Sequence, residues 1–260
     1  MTSLFKNTQQ EHSPLDYFDR VYIINLETRK DRLEEIALEF KKYGLDFHHP
    51  NVQVYKAAKP TTLEDWPTLG TKGCYLSHLA VLQDAKQHQY ARILILEDDV
   101  HFANYFNILC SATLNQLNET NWDIFYGGYR LTPEGEAALE NAFKQNKFPS
   151  KNLYAQPAGN EVFCLHFVAM NQSTVAKMVG YYEAIMQRPN GHPEGGKMHI
   201  DGAYCWFRRE HPQIKTMLAF PQLADQRSSR TDIHDLKWFD LLPIFKSAAS
   251  AARKIRNHLI

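Results

Sequence analysis

The chain has 260 residues, of which 44% are hydrophobic, so it can bury one large core and lies near the upper size of a single domain. Lysine and arginine together number 29, and so do aspartate and glutamate. This balance excludes a global positive field, so we expect no nucleic-acid partner, and any anionic ligand requires a local cluster of cations. The 4 cysteines lack the spacing of a zinc or redox motif, which favours a reducing compartment.

The predicted elements begin with a β-α unit. Residues 1–16 are polar, 21–26 form a strand, and Thr28 caps a helix whose apolar positions recur at helical spacing until Gly44. A second strand at 52–55 is followed by a Pro- and Thr-containing loop at 59–71. A helix is then predicted at about 74–87.

The next strand carries the strongest signal. Ile93 to Leu96 are continuously apolar, which is typical of a central strand covered on both faces. Glu97, Asp98 and Asp99 follow directly. Because ligands of α/β sheets bind just beyond the carboxyl ends of the strands, these acids predict an active site.

Alternating helices and strands continue along the chain. We predict a helix at 102–117, a strand at 122–126 that ends in a glycine pair, and a polar segment at 130–156. A strand at 162–170 follows, and then a helix that Asn171 caps. The last predicted elements are a loop at 188–197, a short helix at 201–209 and a strand at 214–220. This order predicts an α/β fold of three layers, α/β/α, with a mostly parallel central sheet.

The two ends of the chain are expected to lie outside this fold. We predict a polar extension at 1–19, a single domain at 20–236 and a basic amphipathic helix at 237–260. That helix either packs its apolar stripe on the core or contacts an anionic membrane. No segment approaches the ~20 apolar residues that span a bilayer, so we expect a cytoplasmic protein, peripheral on the inner face of the membrane if the helix binds there.

The acidic triplet predicts a metal site. In an extended segment, Glu97 and Asp99 point the same way and can share Mn²⁺ or Mg²⁺, while Asp98 points elsewhere. Three adjacent negative charges also repel one another and favour a counter-cation. The alternative is that Asp98 or Asp99 only caps the following helix.

Several further blocks, in order, resemble glycosyltransferase family 25, which includes bacterial lipooligosaccharide galactosyltransferases and procollagen galactosyltransferases. The blocks are Val-Tyr-Ile-Ile-Asn-Leu-Glu-Thr-Arg-Lys-Asp-Arg from Val21, Gly-Cys-Tyr-Leu-Ser-His from Gly73, Leu-Ile-Leu-Glu-Asp-Asp-Val from Leu94, Trp-Asp-Ile-Phe-Tyr-Gly-Gly from Trp122, His-Ile-Asp-Gly-Ala-Tyr from His199, and the segment 220–233. The resemblance implies a GT-A-like fold, a UDP-sugar donor and an inverting reaction.

The resemblance also implies residue roles. Asp99 is the expected direct metal ligand, and Glu97 lies nearer the ribose or a metal-bound water. An inverting reaction needs a carboxylate that takes the acceptor's proton, and Asp201 is the candidate. Asp201 can instead be a helix N-cap, and Glu194 and Asp225 are rival bases.

Donor contacts are expected in two further blocks. Asn25, Leu26, Arg29 and Arg32 follow the first strand, where helix amides and guanidinium groups can bind phosphate. Gly73, Ser77 and His78 adjoin the acidic strand, which itself adds Asp98. The alternatives are a solvated helix face for the arginines and a structural role for the histidine.

The sequence departs from the family pattern near its end. Collagen-modifying relatives carry a histidine after the proline of the last strand, whereas this chain has Gln222, so the third metal ligand is unassigned, with Asp225 and Gln226 nearby. Arg227 and Arg230 either close over a diphosphate or lie solvated on the surface, and we favour the surface.

Together these features predict a metal-dependent inverting hexosyltransferase. It would move a sugar, with galactose as the expected one, from a UDP-sugar to a glycan or glycolipid acceptor such as lipopolysaccharide. One alternative is an inactive nucleotide-sugar or glycan-binding module of the same fold. The other is a Mg²⁺-dependent nucleotidyl- or phosphotransferase, which also places acids at the end of a strand.

Overall fold

The computed structural model describes residues 13–227 of the chain. The strands are β1 (Arg20–Asn25), β2 (Val52–Lys56), β3 (Arg92–Glu97), β4 (Val100–Phe102), β5 (Ile124–Arg130), β6 (Leu153–Gln156), β7 (Phe163–Asn171), β8 (Thr216–Ala219) and β9 (Ala224–Gln226). The helices are α1 (Lys30–Lys42), α2 (Leu69–His88), α3 (Phe106–Asn118), α4 (Pro133–Lys144), α5 (Gln172–Met186) and α6 (Ile200–Glu210). The predicted helix at 237–260 lies outside the described residues.

Seven strands form one mixed sheet in the order β2-β1-β3-β7-β5-β8-β6. β2, β1 and β3 are mutually parallel, β7 runs antiparallel to β3 and β5, and β8 is parallel to β5. β6 is antiparallel to β8. Five of the seven strands therefore run in one direction, and β3 is an interior strand buried along Ile93 to Leu96, as predicted.

The sheet has a separate core on each face. On one face, residues of α2, α5 and α6, such as Leu79, Val175 and Tyr204, pack together. On the other face, α1 and α3 contribute Phe40 and Leu114. The predicted three-layer α/β arrangement is confirmed.

The chain enters the domain before β1. A short 3-10 helix, Pro14–Tyr17, precedes β1, and its Leu15 packs with Phe18 in the core that α1 and α3 share. Residues of the predicted polar extension thus contact the domain. Within the described residues, no helix is both long and apolar enough to cross a membrane.

Some predicted boundaries were wrong. α2 begins at Leu69, because the Thr68 hydroxyl accepts a hydrogen bond from the Thr71 amide and caps the helix, so Gly73 lies within the helix and not at its entry. α1 begins after Arg29, without a side-chain cap from Thr28. Asn171 caps α5 as predicted, since its Oδ1 accepts from the Thr174 amide at 2.9 Å.

The segment predicted as polar and irregular contains both α4 and β6. β5 also continues through its glycine pair to Arg130. A Cβ atom on Gly127 would lie 2.7 Å from the Phe167 ring, and one on Gly128 would lie 2.1 Å from Nε2 of His166. The glycines are therefore positions where side chains of β7 pack directly on the strand, and they do not end it.

A small second sheet completes the region beyond β3. β4 pairs antiparallel with β9, with Val100 opposite Gln226. This pairing brings the last described residues of the chain back to the acidic triplet. α3 begins at Phe106, after β4, so neither Asp98 nor Asp99 caps it, and that alternative is wrong.

Candidate functional site

The ends of β1 and β3 are joined by polar side chains. Asn25 ends β1, and its Nδ2 donates to Oδ2 of Asp98 at 2.7 Å. Arg32, in the first turn of α1, donates from Nη1 to Oδ1 of Asp98 at 2.9 Å. Asp98 is buried here between an amide and a guanidinium group.

Glu97 interacts with a buried histidine of α2. Nε2 of His78 lies 3.3 Å from Oε1 of Glu97. Burial lowers the pKa of His78 to about 4, so this contact is a hydrogen bond that involves a neutral imidazole and not an ion pair. Burial, together with the charge of Asp98, raises the pKa of Glu97 to about 7. His78 thus orients Glu97.

Asp99 lies in the turn after β3 and contacts the small sheet. Its Oδ2 accepts from Nε2 of Gln226 at 3.0 Å, and its main-chain oxygen accepts from the amide of Arg227. The other carboxylate oxygen, Oδ1, is buried without a hydrogen-bond partner among the described residues. Burial and the charge of Glu97 raise the pKa of Asp99 to about 7.

Asp201 belongs to the same charged cluster. It lies in the first turn of α6, one residue beyond the start of the helix, and the N-cap position is occupied by His199. Its carboxylate accepts a hydrogen bond from the backbone amide of Cys164. Burial and then the charge of Glu97 raise the pKa of Asp201 to about 7. The structure therefore brings Asp201 to the acidic strand end, more than 100 residues away in sequence.

The chemistry of these groups fits a hard divalent cation. Oδ1 of Asp99 is buried without a hydrogen-bond partner among the described residues, and burial together with the neighbouring acids raises the pKa values of Glu97 and Asp99, an effect that Arg32 offsets only in part. Mn²⁺ and Mg²⁺ prefer oxygen ligands of this kind. Glu97 and Asp99 as the ligands remain a prediction.

Among the described residues, one other set gathers potential ligands. Ligand atoms of Cys74, His78 and Glu97 lie within 4.8 Å of one another. Burial raises the pKa of the Cys74 thiol well above its usual value, and the neighbouring acids raise it further. A thiol and an imidazole suit Zn²⁺ better than Mn²⁺ or Mg²⁺, which prefer oxygen ligands, so this set is a weaker candidate for those two ions than the acidic pair.

The structure gives Gly73 and Ser77 a packing role. A Cβ atom on Gly73 would lie 2.9 Å from the main-chain oxygen of Ala58, so α2 approaches the loop after β2 closely. The Ser77 hydroxyl donates to the Gly73 oxygen at 2.6 Å and accepts from the Ala58 amide at 2.8 Å. Both residues hold the loop after β2, and their contact with a donor remains a prediction.

Leu26 and Arg29 lie in the turn between β1 and α1. The Arg29 amide donates to the Leu26 oxygen at 2.7 Å, and the Arg29 guanidinium binds Asp31 at 2.8 Å. This turn is close to Asp98, because Nδ2 of Asn25 also donates to the Arg29 oxygen at 3.1 Å. The predicted donor contacts of the turn remain predictions.

The rival bases lie in more exposed positions. Glu194 is exposed and binds Arg188 at 3.5 Å, and Asp225 is exposed and binds Arg130 at 3.1 Å. Neither is held as Asp201 is, in the first turn of a helix with a backbone amide on its carboxylate.

Two neighbours of the acids differ from the sequence-based expectation. The solvated surface was favoured for Arg227, but its Nη2 donates to the main-chain oxygen of Asp98 at 2.7 Å and its Nη1 binds Glu35 at 3.1 Å. Cys164, which provides the amide for Asp201, has a φ of 69°, an uncommon conformation for a residue with a side chain. No sequence signal marks such a residue. Arg230 lies outside the described residues.

Comparison with known proteins gives a family match. The model of the family described as "Glycosyltransferase family 25 (LPS biosynthesis protein)" matches residues 18–185. A "Glycosyltransferase 25 family member" of Drosophila melanogaster is 34% identical over 142 residues, which is 48% of this chain and 23% of that protein.

Vertebrate relatives match a similar share. "Procollagen galactosyltransferase 2" of Mus musculus is 24% identical over 48% of this chain and 23% of its own length. "Inactive glycosyltransferase 25 family member 3" of Homo sapiens is 27% identical over 47% of this chain and 24% of its own length. The chain thus spans about a quarter of the length of the curated relatives it matches.

Among solved structures, the apo form of mouse xyloside xylosyltransferase 1 is 12% identical, with a TM-score of 0.35 over 75% of this chain and 70% of that one. The protein A197 from STIV is 10% identical, with a TM-score of 0.35 over 84% of this chain and 97% of that one. These scores are too low to support an argument.

Proposed function

This chain belongs to glycosyltransferase family 25, and from that premise we propose that it is an inverting, metal-dependent hexosyltransferase. The observation that carries the proposal is the cluster of Glu97, Asp99 and Asp201 at the end of β3, with raised pKa values and an unpartnered oxygen on Asp99. Perturbed acids that converge where a central strand ends are typical of a catalytic site.

Each acid has a proposed role. Mn²⁺ or Mg²⁺, held by Asp99 and Glu97, would supply positive charge against the departing diphosphate. Asp201 accepts the proton of the attacking acceptor hydroxyl, and a pKa near 7 suits a general base that works near neutral pH. The Cys164 amide holds its carboxylate in place.

The nucleotide is proposed to lie over the turn after β1. The turn includes Asn25, Leu26 and Arg29. Asp98 holds the turn in place by accepting hydrogen bonds from Asn25 and Arg32. In this arrangement Arg32 is a positioning residue and not a donor contact, since its guanidinium already binds the Asp98 carboxylate.

The donor and acceptor are proposed from the relatives. Relatives named procollagen galactosyltransferases support UDP-galactose as donor, and the family description, an LPS biosynthesis protein, supports a lipopolysaccharide or related glycolipid as acceptor. Such an acceptor would place the protein in the cytoplasm or peripherally at the inner face of a membrane.

The test is a titration of the protein with UDP-galactose, with and without Mn²⁺, together with an assay for released UDP over a panel of glycan acceptors. We expect binding that depends on Mn²⁺ and acceptor-dependent release of UDP. Metal-independent binding, or no binding, would contradict the proposal.

An inactive binding module is the second candidate, because one relative carries the word inactive in its name. Binding of UDP-galactose without UDP release for any acceptor would favour it. A nucleotidyl- or phosphotransferase would instead release pyrophosphate or transfer phosphate, and the same reactions can be analysed for both products.

A further inference from the structure

A cleft lies beside α6, with a volume of about 520 Å³. One side is a face of α6 that includes Gly202, Cys205 and Trp206. The opposite sides are the start of α4, with Glu134, and the loop before β7, with Glu161. This volume lies within the range of small-molecule binding sites.

The cleft adjoins the proposed catalytic base. Gly202 lines it and directly follows Asp201 in sequence. On the other side, Phe163 lines it and directly precedes Cys164, whose amide binds Asp201. Asp201 and Cys164 do not themselves line the cleft, but the cleft is lined by the residue next to each of them.

The helix geometry supports the same continuity. Cys205, in the wall of the cleft, lies four residues after Asp201 in α6, so the two side chains are neighbours on the helix surface. A molecule in the cleft would lie along α6, with one end next to Asp201. The nucleotide is proposed on the other side of the acids, over the turn after β1, so the two ligands do not compete for space.

The lining has the chemistry of a carbohydrate site. Aromatic side chains of Phe163 and Trp206 provide apolar surface, and Glu134, Glu161 and Asn160 provide hydrogen-bond acceptors for hydroxyl groups. A ligand with many hydroxyls and apolar C–H faces, which is a sugar, matches this mixture.

The charges of the lining select among sugars. Its charged residues are two carboxylates, Glu134 and Glu161, and one cation, Arg209. The Arg209 guanidinium lies 4.1 Å from the centre of the Trp206 ring and stacks on it. A negative excess near the ligand disfavours a uronate or a phosphorylated sugar and favours a neutral or amino sugar.

We propose that this cleft, given the proposed function, is the acceptor subsite and binds the terminal sugar of a neutral or amino-sugar-bearing glycan. Its hydroxyl then faces Asp201. The acceptor can still carry anionic groups elsewhere, but the sugar that receives the hexose is uncharged or cationic.

The experiment uses saturation-transfer NMR on the full chain with methyl glycosides as probes: methyl galactoside, methyl glucosaminide and methyl glucuronide. A Cβ atom on Gly159, which lines the cleft, would meet nothing within 4 Å, so Gly159→Trp fills the cleft without displacing the core. Gly180 in α5 is equally open and does not line the cleft, so Gly180→Trp is the matched control.

We expect saturation transfer to the galactoside and glucosaminide in the unmodified protein and in Gly180→Trp, and its loss in Gly159→Trp. The glucuronide should gain signal in Glu161→Gln, because that change removes a carboxylate from the lining. Equal signals in the two tryptophan variants, strongest binding by the glucuronide, or no binding of any probe would overturn the proposal.

This test distinguishes a failure of the acceptor-subsite proposal from a failure of the proposed function. It measures sugar binding without a donor, whereas the proposed function depends on UDP-galactose binding and UDP release. Loss of glycoside binding in Gly159→Trp with unchanged UDP-galactose binding would support the cleft. Failure of UDP-galactose binding with intact glycoside binding would contradict the proposed function alone.

Discussion

Nη1 of Arg32 lies 2.9 Å from Oδ1 of Asp98, and the two side chains are only 11% and 10% exposed. The same Nη1 lies 3.8 Å from Oδ2 of Asp99. One cation of α1 thus offsets the charge of two of the three acids that follow β3. This arrangement ties the first helix to the strand end that carries the proposed chemistry.

Replacing Arg32 by methionine should destabilise the protein strongly. The change leaves Asp98 buried and charged without its cation, which costs about 3 kcal/mol for a buried pair. Arg29→Met is the matched control, because Arg29 binds the 58% exposed Asp31, and exposed pairs contribute below about 1 kcal/mol. Urea unfolding measures both variants, and equal losses of unfolding free energy would contradict the assignment of Arg32 to a positioning role.

Asp99→Asn should remove most of the Mn²⁺-dependent part of UDP binding. The amide keeps the size of the side chain and can still accept from Gln226, but it lacks the negative charge that a divalent cation needs. Asp225→Asn is the control, since that carboxylate lies in β9 next to Gln226 but is exposed and bound to Arg130. Isothermal titration with UDP and Mn²⁺ measures the effect, and full Mn²⁺-dependent affinity in Asp99→Asn would exclude Asp99 as a ligand.

Much of the fold could be predicted because its signals are local. The continuous apolar run of β3 and the Asn171 cap of α5 are properties of short segments, and the structure confirms both. The start of α2 was missed because its cap, Thr68, lies in a stretch whose proline and threonines favoured a loop. β6 was missed because it lies in a mostly polar segment and pairs with β8, about 60 residues further along the chain.

The site could be predicted only where its side chains directly follow a strand in sequence. Glu97 and Asp99 could be selected as candidates from the sequence alone. The contacts of Gln226 with Asp99 and of Arg227 with the main-chain oxygen of Asp98 depend on the pairing of β4 with β9, a long-range contact without a local pattern. Cys164 contributes only a backbone amide in a left-handed conformation, which its residue type disfavours. Asp201 was proposed from a family block and not from spacing.

Gly127→Ala should destabilise the fold although β5 is otherwise a regular strand. The added Cβ would lie 2.7 Å from the buried Phe167 ring, and overpacking of this kind costs about 1–3 kcal/mol. Gly180→Ala, in α5, is the control, because a Cβ atom there would have no neighbouring atom within 4 Å. Thermal unfolding compares the two, and an unchanged melting temperature in Gly127→Ala would show that the ring moves aside at no cost.

Asp201→Asn should abolish transfer and leave donor binding intact. The amide cannot accept the hydroxyl proton, so general-base catalysis is lost, which typically contributes about 10²–10⁴-fold in rate. Glu194→Gln, at the exposed rival position, should retain turnover. UDP release with acceptor and UDP affinity are measured on each variant. Full turnover in Asp201→Asn would assign the base to another residue, and loss of UDP binding would assign Asp201 to the donor site.

The final prediction concerns His166, which is fully buried on β7 beside Gly128. Burial lowers its pKa to about 4, whereas an unfolded chain protonates histidine near pH 6.5. Between pH 6.5 and 4 the unfolded state therefore binds more protons, so folding stability contributed by a neutral His166 is lost as the pH falls through this window. The difference between the two pKa values of His166, in the folded and the unfolded chain, corresponds to about 3 kcal/mol of unfolding free energy.

His166→Asn should remove this one contribution, so the stability of the unmodified protein relative to the variant should decrease as the pH falls through the same window. An asparagine cannot be protonated, so the variant escapes this acid-dependent loss, even if its stability at pH 7 is lower. Urea unfolding at several pH values between 7 and 4 gives the two slopes. Parallel slopes for the unmodified protein and the variant would mean that His166 is protonated without cost in the fold, and the direct packing of its ring on Gly128 would then need another explanation.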